Sequence, residues 1–394
     1  MSAIEVGCEK PSPRVWSAVG SLGMCVAMLI ASEFMPVSLL TPIAADLETT
    51  QGMAGQAISV SGLFAVAASL FISPLAGRLD RRYFLIGLTV LLLTSLVLIA
   101  EASSYRALIM ARAFLGTAVG GFWALSTATI MRLVPASSVA KALGVLYGGD
   151  ALASAFASPI GSYVGGALGW RAVFWGMVPL VVVNLAWQWH SLPTMPSEKP
   201  NSVGTLVRLL KRRDIAYAMV GLTLTFSGVF CVFTYLRPFL EIRSHGDIST
   251  ISSLLLVMGI AGFAGTYAAT VLVALRLHAL LVGLPLAVGG TALCLLSSGS
   301  NNWLLASSMM LLGTFNAAIF VVWSTWLTRA VPDNPESGAG LMIATIQISV
   351  MLGAGVGGLL LDQLSITAAF IGGALQLLAA ALLIYGRLKT AFPR

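Results

Sequence analysis

Apolar runs of about 20 residues, the length that crosses a hydrocarbon core of about 30 Å, recur along the whole of this 394-residue chain. Short islands rich in Lys, Arg, Pro and Gly separate them. A backbone in lipid must satisfy its own polar groups, so runs of this length can only fold as helices packed on one another. Only 9% of the residues are charged and 58% are hydrophobic, whereas soluble domains carry roughly 25% charged residues. The expected fold is an all-α membrane protein lying in a lipid bilayer.

Reading the runs between charged and Pro/Gly punctuation predicts twelve spans, at 15–45, 52–77, 83–102, 105–131, 139–167, 171–190, 214–240, 248–275, 277–298, 302–328, 337–361 and 367–386. One long polar connector, 191–213, follows the sixth. It holds Pro193, Pro196 and Pro200 and ends in the basic residues Arg208, Lys211, Arg212 and Arg213. The expected organisation is a cytoplasmic tail (1–14), a six-helix half (15–190), the linker (191–213), a second half (214–388) and a short tail (389–394). The first span is too long for a signal-peptide core and no small-residue cleavage site follows it, so it is expected to stay as a helix.

Most of the 22 Lys and Arg residues fall in connectors on one side. By the positive-inside rule that side is cytoplasmic and holds both termini. Topology therefore explains the net charge of +7 better than nucleic-acid binding does. The four cysteines, Cys8, Cys25, Cys231 and Cys294, have neither metal-ligand nor disulfide spacing and read as small packing residues. No metal cluster, catalytic triad or phosphate loop is legible, so neither an enzyme nor a cofactor is expected.

The two halves repeat. At an offset of 197 residues, Leu115-Gly116-Thr117 recurs as Leu312-Gly313-Thr314, and Arg132-x-Val134-Pro135 recurs as Arg329-x-Val331-Pro332. Both matches set the fourth span on the tenth. Two parallel six-helix repeats, related by a pseudo-two-fold axis along the membrane normal, place a substrate site near the midplane between them.

Glu33 stands in an otherwise uncharged apolar run. A carboxylate at that depth costs about 2.5–3.5 kcal/mol on insertion scales for Asp-like residues, and chains that keep one generally bind a proton, an ion or a substrate there. Its offset partner in the seventh span is an apolar Val229 or Phe230, so the charge does not belong to the duplicated scaffold. The functional reading is exchange of a proton as substrate moves. The alternative is a permanent structural pairing with Arg112. Asp150 is a second intramembrane carboxylate, either a proton or cation site or a helix-end residue paired with an arginine.

Three further patterns stand out. The second-to-third connector reads Gly77-Arg78-Leu79-Asp80-Arg81-Arg82-Tyr83. The fourth span carries Arg112, Gly116 and Gly120 on one face, where glycines allow close helix approach. The fifth holds Ser158, Pro159 and Gly161, a kink among small residues. These resemble, in that order, the cytoplasmic loop signature, the arginine signature of proton-coupled members and the antiporter motif of the major facilitator superfamily. The loop is shortened and lacks a second glycine, and Ser158 replaces a glycine. The resemblance implies a twelve-helix major facilitator fold, a gating role for Gly77, Asp80, Arg81 and Arg82, and packing roles for Gly116, Gly120, Ser158, Pro159 and Gly161.

Longer stretches narrow this further. Trp16-Ser17-Ala18-Val19, Glu33-Phe34-Met35-Pro36-Val37, Phe233-Thr234-Tyr235-Leu236-Arg237-Pro238 and Trp323-Ser324-Thr325-Trp326 resemble exporters of purine ribonucleosides in the drug:proton antiporter branch. The resemblance implies proton-coupled efflux of nucleosides such as inosine and guanosine across a bacterial inner membrane, by a monomer. It makes Glu33, Asp150 and Arg112 candidates for proton coupling. In the family the first, fourth, seventh and tenth helices line the cavity. Trp123 and Thr127 on the fourth, Phe230 and Tyr235 on the seventh, and Asn316, Phe320 and Trp323 on the tenth are then the expected substrate contacts. Efflux of sugars or drugs, and a non-transporting receptor built on the same fold, are the competing readings.

Overall fold

The computed structural model describes residues 12–76, 80–196, 209–299, 301–331 and 335–388. Within them the chain is helical throughout: α1 (Pro13–Ser38), α2 (Leu40–Asp46), α3 (Gln51–Ala76), α4 (Arg81–Ala100), α5 (Tyr105–Leu133), α6 (Val139–Leu168), α7 (Trp170–Ser191), α8 (Arg213–Phe233), α9 (Leu236–Arg243), α10 (Ile248–Ser297), α11 (Asn302–Ala330), α12 (Pro335–Gln363) and α13 (Ile366–Arg387). Eleven stretches are long and apolar enough to cross a membrane, and one of them, α10, runs 50 residues. At 1.5 Å per residue that is about 75 Å, more than twice a bilayer core. Arg276, with φ −140° and ψ 41°, breaks it into two crossings. The twelve predicted crossings are therefore all present.

Two predicted spans are broken helices. The 15–45 run divides at Leu39, whose N–H turns back to the Pro36 carbonyl at 3.1 Å, leaving α2 as a short continuation of α1. The 214–240 run divides after Phe233; Pro238 lacks the N–H that would have bonded the Thr234 carbonyl and carried the helix through. Polar side chains start several other helices. Asp80, Ser104, Asp247, Asn301 and Ser365 each accept a backbone N–H in the first turn of the helix that follows.

Buried apolar side chains form two clusters, one built almost wholly from α1–α7 and one from α8–α13. Within each cluster glycine sets the helix spacing, and the offset of 197 reappears as geometry. A Cβ on Gly116 would collide with the Ser61 carbonyl, and one on Gly313 with the Met258 carbonyl, the same pair displaced by 197 residues. The Gly120–Ala65 approach likewise corresponds to Ala317 on Gly262. The halves meet along α3 against α12 and α6 against α10. There Gly62 sits on the backbone of Gln347 and Gly259 on that of Ala155.

Candidate functional site

Glu33 is 3% exposed in α1, and its Oε1 accepts a hydrogen bond from Nε2 of Gln347 on α12 at 3.5 Å. Arg112 on α5 is 1% exposed. Its Nη1 donates to the Ser32 carbonyl at 3.0 Å and its Nε to the Ala57 carbonyl at 3.4 Å. Those carbonyls belong to α1 and α3, so one guanidinium ties three helices together beside the carboxylate. The two charges feel each other's field, but no salt bridge joins them among the described residues. Arg112 neither snorkels to the headgroups nor locks Glu33 into an ion pair.

Asp150 lies well inside α6, half-buried, with Ser154 beside it and within electrostatic reach of Glu33 and Tyr147. It is not a helix-end residue. Tyr147, one turn earlier, stacks on Trp123 of α5 with ring centroids 5.9 Å apart and planes 22° from parallel. Thr127 stands next to the Tyr147 hydroxyl. The structure thus gathers Glu33, Arg112, Asp150, Trp123 and Thr127 in the first half and adds two residues that the sequence patterns did not single out, Tyr147 and Gln347. Tyr147 has no sequence signal beyond its place one turn before Asp150. Gln347 does have one, because it is the residue 197 positions after Asp150.

The second-half candidates do not gather as one group. Asn316 and Phe320 are half-buried on α11. Trp323, expected on the same stripe, is 2% exposed in the second-half core and lies edge-on to Trp326 at 5.9 Å. The 3-residue step from Phe320 carries it around the helix into α8, near Gly221. Phe230 packs on Phe34 and Phe233 with centroids 6.0 and 5.9 Å away. Tyr235 is fully buried against Gly55, Gly357 and Gly358, and its hydroxyl donates to the Ala354 carbonyl at 2.6 Å.

These last contacts belong to a closure that no sequence pattern announced. It lies at the end of the molecule opposite the termini, here called distal. The Asp362 carboxylate of α12 accepts from the Thr50 hydroxyl at 2.5 Å and the Gly52 N–H at 3.0 Å, at the start of α3. Arg237 of α9 donates to the Ser38 carbonyl at the end of α1, and to Ser162 at 3.4 Å. An anion on a helix N-terminus and a cation on a helix C-terminus both complement the helix dipole. Phe34, Phe230 and Phe233 seal the layer beneath.

At the proximal end Asp80, Arg81 and Arg82 bond to the segment that follows α7 and to α7 itself. Asp80 accepts from the N–H groups of Arg82 and Met195, both at 2.9 Å. The Arg81 N–H donates to the Met195 carbonyl at 3.1 Å. Arg82 donates to the Trp189 carbonyl at 2.5 Å and lies over the Tyr83 and Trp189 rings. Gly77 lies outside the described residues. Ser158 is 2% exposed, Pro159 is inside α6, and a Cβ on Gly161 would stand 2.8 Å from Ser38 Oγ, so this segment closes on α1. An apolar groove of about 580 Å³ between α1, α6 and α7, lined by Met24, Met28, Met35 and Met177 among others, offers no polar group to a nucleoside.

Comparison with known proteins agrees with this architecture. The family model described as Major Facilitator Superfamily matches residues 21–299. The transcription regulatory protein OpdE of Pseudomonas aeruginosa is 42% identical over 386 residues, covering 97% of this chain and 96% of that protein. The purine ribonucleoside efflux pump NepI of Salmonella paratyphi C is 38% identical over 375 residues, covering 95% and 94%. Among solved structures, a bacterial homolog of the human lysosomal transporter Spinster, in an inward-facing and unoccupied conformation, superposes with a TM-score of 0.67 at 14% identity over 96% of both chains. The chain is a multi-pass membrane transporter and belongs to the Major Facilitator Superfamily.

Proposed function

We propose that this transporter exports purine ribonucleosides such as inosine and guanosine across the bacterial inner membrane in exchange for protons, by alternating access. The observation that carries the reading is Glu33, a buried carboxylate bonded across the interface between the halves with no ion pair among the described residues. A proton is the smallest cation that can occupy such a site, and exchanging it is what intramembrane carboxylates commonly do. The 38% identity to NepI over nearly the whole chain supports the substrate class.

The Trp123–Tyr147 stack offers a flat face to a purine, and stacking of a base on an aromatic ring is worth about 1–3 kcal/mol. Thr127, Asp150 and Asn316 supply polar groups for base edges and ribose. Tyr235 and Trp323 act as packing in this state, and Phe230 as part of the distal seal. With the termini cytoplasmic, as the basic connectors favour, the distal closure faces the periplasm and this state is closed on that side.

The test is labelled inosine flux in proteoliposomes with a proton gradient imposed and then collapsed, comparing the wild type with Glu33→Gln and Asp150→Asn. Gradient-driven flux that Glu33→Gln retains in full overturns the coupling role. The resemblance to OpdE, whose name is that of a transcription regulator, favours a second reading: a sensor on the transporter fold. Measurable flux of any substrate excludes a purely non-transporting form.

A further inference from the structure

Glu33 is approached from both halves by positions that the duplication makes equivalent. Asp150 on α6 and Gln347 on α12 stand 197 residues apart and act on the same carboxylate. The first half thus presents an acid and the second an amide donor. Gln347 is 8% exposed. Its backbone is pinned to the other half as well, since a Cβ on Gly62 of α3 would stand 3.0 Å from the Gln347 carbonyl oxygen. A small displacement of α12 from α3 therefore breaks the Gln347–Glu33 bond.

From this arrangement we infer that Gln347 is the positioning residue through which the charge of Glu33 is transmitted to the second half, a role that rests on the reading of Glu33 as the coupling carboxylate. A hydrogen bond to an ionised acceptor is roughly twice as strong as a neutral one. An ionised Glu33 therefore holds α12 against α1 and α3, and with it the distal closure at Asp362 and Arg237. Protonation weakens that hold. The charged groups facing Glu33 are Arg112 from α5 and Asp150 from α6; neither reaches into the second half. Gln347 is the side chain that does. A glutamate at 347 would instead set a third acid beside Glu33 and Asp150, and deprotonation would drive the halves apart.

The experiment follows distal opening against pH. Spin labels go on Glu48→Cys and Leu364→Cys, exposed positions in distal connectors of the two halves. The background has Ser in place of Cys8, Cys25, Cys231 and Cys294, and every variant is first checked for a monodisperse elution profile. In the parent protein the distal-closed population rises with pH, and Glu33→Gln removes that rise. Gln347→Leu is expected to lose most of the rise, and Gln347→Glu to reverse its sign, which a merely space-filling role would not do. If both Gln347 variants follow the parent curve while Glu33→Gln flattens it, the role of Gln347 is overturned and that of Glu33 stands. If Glu33→Gln leaves the curve unchanged, the coupling reading itself fails.

Discussion

The two halves share a skeleton and differ in chemistry. Gly116 on Ser61 and Gly313 on Met258 are one contact used twice, and so are Gly120 with Ala65 and Ala317 with Gly262. The buried charges of the first half do not repeat. At the same offset Glu33 corresponds to Phe230, Arg112 to Met309 and Asp150 to Gln347, while Trp123 corresponds to Phe320. Duplication supplied a bundle whose helix spacing is set by glycine. The first half carries Glu33, Arg112 and Asp150 in its interior; the matching positions of the second are apolar except for the Gln347 amide, which faces Glu33. On the proposed function, one half changes its protonation and the other responds.

The halves should differ most at the position of the buried arginine. Arg112→Leu leaves the buried Ser32 carbonyl, which faces Pro36 and so lacks a helix N–H, without its donor, a cost of about 1–3 kcal/mol, and leaves Glu33 with no cation nearby. Loss of folded protein, or a large fall in its midpoint of thermal unfolding in detergent, is expected. Met309→Leu, at the equivalent position, is a volume-conserving change in a fully buried apolar site and should cost under about 1.5 kcal/mol. Equal destabilisation of the two would show that the halves are not chemically distinct at this level.

The scaffold is predicted to behave in the opposite way. Gly116→Ala and Gly313→Ala each force a methyl into a carbonyl of the neighbouring helix. Both should destabilise by similar amounts, about 1–3 kcal/mol for overpacking, read by the same unfolding assay. A large asymmetry would show that the repeated contact is not equivalent in the two halves.

Smaller differences separate the helix starts. Thr50 caps α3 by accepting the Met53 N–H at 3.0 Å and is backed by Asp362 from the other half, whereas Asp247, its offset partner, caps α10 by itself. Asp362→Ala should weaken the distal closure by about 1 kcal/mol, the usual worth of a cap, and raise the fraction of distally open molecules. Asp247→Asn should lower stability slightly near neutral pH and reduce its pH dependence. The Thr250 hydroxyl and the backbone N–H groups of Thr250 and Ser249 hold the Asp247 carboxyl below its ordinary value. Its contribution is present above the unfolded-state value and lost as pH falls through the folded one. The variant should lose less stability than the parent on acidification.

How far the sequence could be read follows from the range of each signal. Span number and the repeat rest on runs of about 20 residues and on a fixed offset, so both were legible. Helix breaks at Leu39 and near Tyr235 were hidden because Pro36 and Pro238 lie inside otherwise continuous apolar runs. Glu33, Arg112 and Asp150 stood out as charges in grease, and Trp123 with Thr127 followed from the face of α5. Trp323 misled because an i, i+4, i+7 stripe on a helix surrounded by neighbours does not say which neighbour it meets. Gln347, Asp362 and Arg237 act through contacts between residues about 200 to 315 apart in sequence, which no local pattern encodes.

The proposal that Glu33 carries the proton that drives export is tested most directly by substrate-induced proton movement. Inosine is added to one side of proteoliposomes that hold a pH-sensitive dye, with no gradient imposed. The parent protein should move protons opposite to inosine, and Met309→Leu, a volume-conserving change in the core of the other half, should do the same. Glu33→Gln should pass inosine with no accompanying proton signal. A proton signal of parental size from Glu33→Gln would contradict the account.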